Sequence, residues 1–234
     1  MVLGNSRLLL VAEMLEYADV VADIGTDHAL LPVYLIKNNM AKRVLACDIA
    51  EGPLSVAKKN IIKAGVADKV LLRLANGLEK VLPLECNAVT IAGMGGETIA
   101  EIIDKAKWLK EEKQTLILQP MTSDDKLREY LVLNGFRILK EKAVFSKGRV
   151  YTVIKTKYSG ETAKFSADYF YIGELFSDIA EVGKAEIAFA EKHLKSMKKC
   201  LKEIKGVARR KDLEDRISAA IPLIEEKLNN FKNI

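Results

Sequence analysis

The feature that most constrains this chain is an alternation. Short apolar runs at residues 20–24, 44–49, 69–74, 88–92 and 115–118 are separated by segments with helical periodicity. Runs this short, set between helices, read as strands buried on both faces of a parallel sheet. The helical segments fall at residues 6–16, 28–38, 52–64 and 99–108, and from Asp124 to a stop at Asn134-Gly135. Pro53 suits a first helical turn, and Gly65 and Gly135 suit C-terminal stops. Two last runs, at residues 136–145 and 150–155, are separated by a short gap that holds Ser146-Lys147-Gly148. So short a gap demands a hairpin, hence an antiparallel pair. The expected fold class is α/β, a doubly wound, Rossmann-like sheet that is mostly parallel with an antiparallel edge from the C-terminal hairpin.

Beyond Tyr158 the strand-like runs vanish. Ile187, Ala190, Leu194, Met197, Leu201 and Ile204 recur at spacings of three and four, and Leu213, Ile217, Ile221, Ile224, Leu228 and Phe231 repeat the pattern after a break near Gly206. Two amphipathic helices with facing stripes make an antiparallel, coiled-coil-like hairpin, and self-association is left open. The chain therefore divides at residues 1–157 and 158–234. Between these helices Lys192, Lys195, Lys198, Lys199, Lys202, Lys205, Arg209, Arg210 and Lys211 are basic, and only Glu203 is acidic. Such a cluster is either a solvated face or a surface that contacts nucleic-acid phosphates, with Lys198, Lys199, Lys202, Arg209 and Arg210 as candidate contacts. His193, among these lysines, reads as an ordinary surface residue.

The net charge of +5 is too mild for a basic-tail binder but allows an anionic partner. Cys47, Cys86 and Cys200 are far apart, without a C-x-x-C pair or a histidine cluster, so neither a disulfide framework nor a metal site is expected. No leader-like segment and no membrane-length apolar run is present, and the expectation is a cytoplasmic protein without a membrane partner.

The chemistry concentrates in V-A-D-I-G-T-D-H-A-L-L-P, residues 21–32. In an open parallel sheet, ligands bind beyond the carboxyl ends of the strands, beside the first strand. Gly25 stands there, where backbone passes close to a ligand. A nicotinamide-cofactor loop would read G-x-G-x-x-G, whereas here Asp27 and Leu30 replace two of the three glycines. A pyrophosphate would be repelled by Asp27; a cationic or zwitterionic ligand would not. This favours S-adenosyl-L-methionine, which carries an ammonium and a sulfonium and no phosphate. Asp48 ends the second strand where an acid takes a ribose diol, and Asn76-Gly77 follows the third where an adenine could be read. Gly93, Met94, Gly95 and Gly96 let backbone approach the transferring methyl or a flat substrate, and Gln119-Pro120 ends the fifth strand.

Taken in order and spacing, V-A-D-I-G-T-D-H-A-L-L-P, Asn76-Gly77-Leu78, I-A-G-M-G-G and L-I-L-Q-P resemble the bacterial tRNA (adenine-22-N1)-methyltransferase family over residues 1–157. The resemblance implies a class I S-adenosylmethionine-dependent fold and methylation of one adenine in the D-arm region of tRNA. It implies that Asp23, Gly25, Asp27, His28, Asp48, Asn76, Gly77, Leu78, Gly93, Met94, Gly95 and Gly96 line the cofactor pocket. Arg7, just ahead of the first strand, is a further candidate for the cofactor carboxylate. Adenine N1 already carries a lone pair, so in-line positioning and stabilisation of developing positive charge matter more than a strong base. Asp27 is the first candidate for that electrostatic role and His28 the second, with Gln119 and Pro120 as candidate RNA contacts. A methyltransferase of another RNA or a small molecule, and a non-catalytic RNA-binding protein of the same fold, are the competing expectations.

Overall fold

The structure, a computed structural model, describes residues 4–111, 114–161 and 165–232. Helix α1 (Ser6–Leu15) begins where the Asn5 side chain accepts from the Arg7 amide. Then come β1 (Ala18–Ile24), α2 (Leu30–Lys37), β2 (Ala41–Asp48), α3 (Glu51–Lys63), β3 (Val70–Leu74), β4 (Ala88–Gly95), α4 (Gly96–Lys105), β5 (Thr115–Thr122), α5 (Asp124–Leu133), β6 (Phe136–Ser146) and β7 (Arg149–Tyr158). They form one sheet in the order β3-β2-β1-β4-β5-β7-β6. The first five strands are mutually parallel, and β7 runs against both of its neighbours.

The expected hairpin is present, but its place differs from an antiparallel edge. The second strand, β7, slots between β5 and β6, so the outermost strand points the same way as the parallel set. The reason lies in the side chains. In β7, residues 150–154 are buried without interruption, whereas β6 carries Lys140 and Lys142 and exposes Arg137 and Leu139. An apolar strand belongs inside a sheet, and a charged one blunts its edge. As a consequence, the hairpin turn lies at the same end of the sheet as the carboxyl termini of the parallel strands.

Each face of the sheet is covered. Val11, Leu35 and Ile61 of α1, α2 and α3 pack on Val21, Val44 and Val153; Ile99 and Leu131 of α4 and α5 pack on Ile24, Ile91 and Leu116. Each such side chain, removed from water, stabilises the fold by about 1.5–3 kcal/mol. Between β3 and β4 a tied loop replaces a crossover helix. Arg73 grips the Glu85 carboxylate through Nη1 and Nη2 at 2.8 and 3.0 Å and also donates to the Lys80 carbonyl, while Glu85 accepts from the Leu82 amide at 2.8 Å. The bond to Arg73 draws the Glu85 carboxyl down to about 2.

Past the sheet, α6 (Tyr169–Ile172) leads to α7 (Lys184–Ile204) and α8 (Lys211–Lys232). Ala190, Met197 and Ile204 meet Ile217, Ala220, Ile224 and Leu228, and Lys198 pairs with Glu225 at 2.5 Å. The two stripes thus face each other, as their periodicity requires.

The junction between sheet and helices holds a buried guanidinium. Arg128 of α5 is fully buried and donates to both Glu141 oxygens, to Asp124 at 2.8 Å, and to the Phe170 and Tyr171 carbonyls. Glu141 also accepts from the Thr152 hydroxyl at 2.5 Å and the Glu174 amide at 3.2 Å. Gly173 crosses this node at φ +52°, and any side chain there would run into Glu141. His193 of α7 is not a surface residue. Its Nε2 lies 3.1 Å from Asp124, off the line of a hydrogen bond, and its ring packs on Phe189 at 4.7 Å. The lysines beside it follow the outer face of the helix; His193 follows the inner one.

Candidate active site

The loop from β1 to α2 is wound tightly. Gly25, Asp27 and Ala29 have φ of +72°, +51° and +55°, and the helix starts at Leu30 rather than at His28. Aspartate tolerates the left-handed region, but alanine there costs about 1–2 kcal/mol. Bonds from β2 hold the loop in place. The Gly25 and Thr26 amides both donate to the Cys47 carbonyl at 2.9 Å, and the Asp27 amide donates to an Asp48 oxygen at 3.1 Å. The other Asp48 oxygen accepts from the Ala50 amide at 3.0 Å, and its carbonyl accepts from the Ala75 amide at 2.9 Å. Asp48 therefore ties together the loops after β1, β2 and β3, a duty its position in the sequence did not reveal. Each of its oxygens keeps accepting capacity for a ligand hydroxyl.

Arg7, Asp23, Gly25, Asp27, His28 and Gly93 line one cleft of about 130 Å³. Asp23 is buried on β1 and accepts from the Thr90 hydroxyl at 2.7 Å. Burial pushes its carboxyl up to about 6; the Thr90 bond opposes this and nearby Asp48 adds to it. Thr90 was missed in the sequence because nothing marks a buried threonine in an apolar strand as a carboxylate's partner. Asp27 and His28 face solvent, with His28 Nε2 3.4 Å from Asp27 Oδ1. The guanidinium of Arg7 donates to Gln119 Oε1 at 2.6 Å and lies 5.1 Å from the centre of the Tyr151 ring.

The glycines after β4 serve different ends. Gly93, at φ +83°, has open space where a Cβ would stand, whereas Gly96 starts α4 pressed against the Ser123 carbonyl. The Met94 thioether methyl folds over Gly25 into the space a Cβ would take. Asn76, Gly77 and Leu78 line a separate groove of about 310 Å³ against Ile102 and Trp108; just before them the Ala75 amide donates to the Asp48 carbonyl. Gln119 and Pro120 are buried, and the Gln119 amide is taken up by Arg7 and the Pro120 carbonyl. Expected as RNA contacts, they are instead covered: past Leu118 only β4 pairs with β5, and Arg7 lies against Gln119. Lys198, Lys199, Lys202, Arg209 and Arg210 are exposed, with Lys198 paired to Glu225 and Lys199 3.9 Å from Glu203.

The donor set fits S-adenosyl-L-methionine. Carboxylates at the ends of β1 and β2 suit an ammonium, a sulfonium and ribose hydroxyls, the Arg7 guanidinium suits a carboxylate, and Gly93 leaves the backbone bare. Three carboxylates at one strand edge would repel a pyrophosphate. Among the described residues no group of three His, Cys, Asp or Glu side chains converges to hold a metal, and no helix is long and apolar enough to cross a membrane.

Comparison with known proteins points the same way. Residues 4–154 match the family model described as a methyltransferase domain. The tRNA (adenine(22)-N(1))-methyltransferase of Bacillus subtilis (strain 168) is 35% identical over 161 residues, which are 69% of this chain and 68% of that one. This chain belongs to that family. Solved structures extend the likeness through the helical arm. The B. subtilis M1A22 tRNA methyltransferase superposes with a TM-score of 0.80 at 27% identity, covering 96% of this chain and 98% of that one. A Streptococcus pneumoniae protein in complex with S-adenosyl-L-methionine gives 0.79 at 31%, covering 95% and 98%. An M. capricolum relative in complex with S-adenosyl-homocysteine gives 0.76 at 29%, covering 94% and 96%.

Proposed function

We propose that this chain transfers a methyl group from S-adenosyl-L-methionine to N1 of adenine 22 in the D-arm region of tRNA. One observation carries the reading: Asp23 and Asp27 share a cleft with Arg7 and the bare backbone of Gly93 at the carboxyl ends of β1 and β4, and Asp48 at the end of β2 holds that loop by accepting from the Asp27 amide. When bound, the cofactor supplies an electrophilic methyl group. Asp48 would accept from its ribose hydroxyls, Arg7 would hold its carboxylate and buried Asp23 its ammonium. Asn76, Gly77 and Leu78 would hold the adenine. Gly93 lets the target ring approach edge-on, and Asp27 offsets the positive charge that builds on the ring as N1 is alkylated. His28 orients Asp27. No proton leaves N1, so the site needs no strong base. Residues 1–157 form the catalytic unit, and residues 158–234 grip tRNA phosphates through Lys198, Lys199, Lys202, Arg209 and Arg210.

Calorimetry and a transfer assay test this together. S-adenosyl-homocysteine should bind and NAD should not, and label from the methyl group should pass to unmodified tRNA. Cofactor binding without transfer to any tRNA would leave the fold and overturn the substrate.

A further inference from the structure

The β6–β7 turn has more in it than a connection. Lys147 and Gly148 form a two-residue tip at φ +49° and +73°, the left-handed pair that a tight hairpin demands. Because β6 runs parallel to β5, this tip stands at the catalytic end of the sheet. From the Gly93 loop to β6 is three strand spacings, about 14 Å. Phe145 precedes the tip and is 52% exposed, a large aromatic left in water. Lys147 lies in the tip and Arg149 follows it, opposite Ser146; both are exposed and without a carboxylate partner among the described residues. The element is anchored on the cleft side: Ser6 donates to the Phe145 carbonyl at 2.7 Å, and Arg7 lies over Tyr151. By strand alternation Phe145 shares its face with Ala143 and Val150, which pack against Phe189 and Leu175 of the arm.

The geometry points to the hairpin tip as a second RNA contact, in which Phe145 stacks on an unpaired base near the target and Lys147 and Arg149 take the adjoining phosphates. This rests on the methyltransferase reading above and specifies how the substrate is held. A base extruded for N1 chemistry leaves its neighbours unstacked, and an aromatic on a rigid turn replaces part of the lost stacking.

The test is steady-state and single-turnover methylation of unmodified tRNA by Phe145→Ala, Phe145→Trp and the Lys147→Ala/Arg149→Ala pair, with cofactor affinity measured by calorimetry. Phe145→Ala should raise the KM for tRNA roughly tenfold, as loss of one stacked base does, and Phe145→Trp should restore it. The paired variant should flatten the salt dependence of tRNA binding by about one to two slope units. Cofactor affinity and melting temperature should not move. An unchanged KM in Phe145→Ala together with an unchanged salt slope in the pair overturns the contact. A wild-type protein that binds cofactor but methylates no tRNA overturns the underlying reading, and the contact with it.

Discussion

Replacing Arg128 with methionine removes the guanidinium that joins α5, β6 and α6. Its five acceptors are two Glu141 oxygens, one Asp124 oxygen and the carbonyls of Phe170 and Tyr171. After the change Glu141 stays fully buried with only the Thr152 hydroxyl and the Glu174 amide to solvate it. Breaking one side of such a buried pair costs about 3–5 kcal/mol, because the remaining charge is uncompensated. At about 2–4 °C per kcal/mol for a chain of this size, the melting temperature should fall by roughly 10 °C. A pH signature accompanies it. Burial alone would raise the Asp124 carboxyl, but Arg128 and His193 overcome that and hold it well below the usual range. A depressed carboxylate stabilises the fold above its ordinary value near 3.8 and loses that contribution as pH falls below it. The variant should therefore lose part of the wild-type rise in stability between acid and neutral pH. Urea unfolding followed by circular dichroism at pH 2 and pH 7, on either side of that window, measures both effects. A loss under about 1 kcal/mol at neutral pH, with the same acid dependence as wild type, would refute the reasoning, since a pair worth so little is not desolvated.

Asp48→Ala should weaken S-adenosyl-L-methionine binding by about 1.5–3 kcal/mol in calorimetry, since ribose hydroxyls lose a charged acceptor, and unchanged affinity would remove Asp48 from the pocket. Asp23, raised to about 6, should ionise when a cationic cofactor binds, so affinity should climb as pH rises from 5 to 7 and flatten in Asp23→Asn. Asp27→Asn should lower saturated turnover more than cofactor affinity; the reverse pattern would make Asp27 a ligand holder. Neutralising Lys198, Lys199, Lys202, Arg209 and Arg210 together should weaken tRNA binding and flatten its salt dependence at unchanged cofactor affinity, and a wild-type salt slope would return the cluster to a solvated face.

The sheet was legible because strand and helix periods alternate cleanly, and because Asn134-Gly135 and Lys147-Gly148 punctuate where the chain turns. What the pattern left open was lateral order. Both hairpin strands are apolar enough for either slot, and only the charges at Lys140 and Lys142 hint that β6 is the edge. Asp23, Gly25, Asp27 and Gly93 converge as their place at strand ends implied. The Arg128 node could not be read. Glu141 sits between two lysines as a solvent-facing residue would, and Asp124 and Arg128 look like an exposed pair one helical turn apart. The return of residues 169–174 over them, with Phe189 and His193 of α7, turns that surface into interior.

The central claim is chemical and positional, and mapping the product tests both. Unmodified tRNA is incubated with the protein and labelled S-adenosyl-L-methionine, digested, and the modified nucleoside identified and located by mass spectrometry. The account predicts N1-methyladenosine at position 22 and no label when that adenine is replaced by guanine. A methyl group on the exocyclic amine, or on a nucleotide outside the D-arm region, would contradict it.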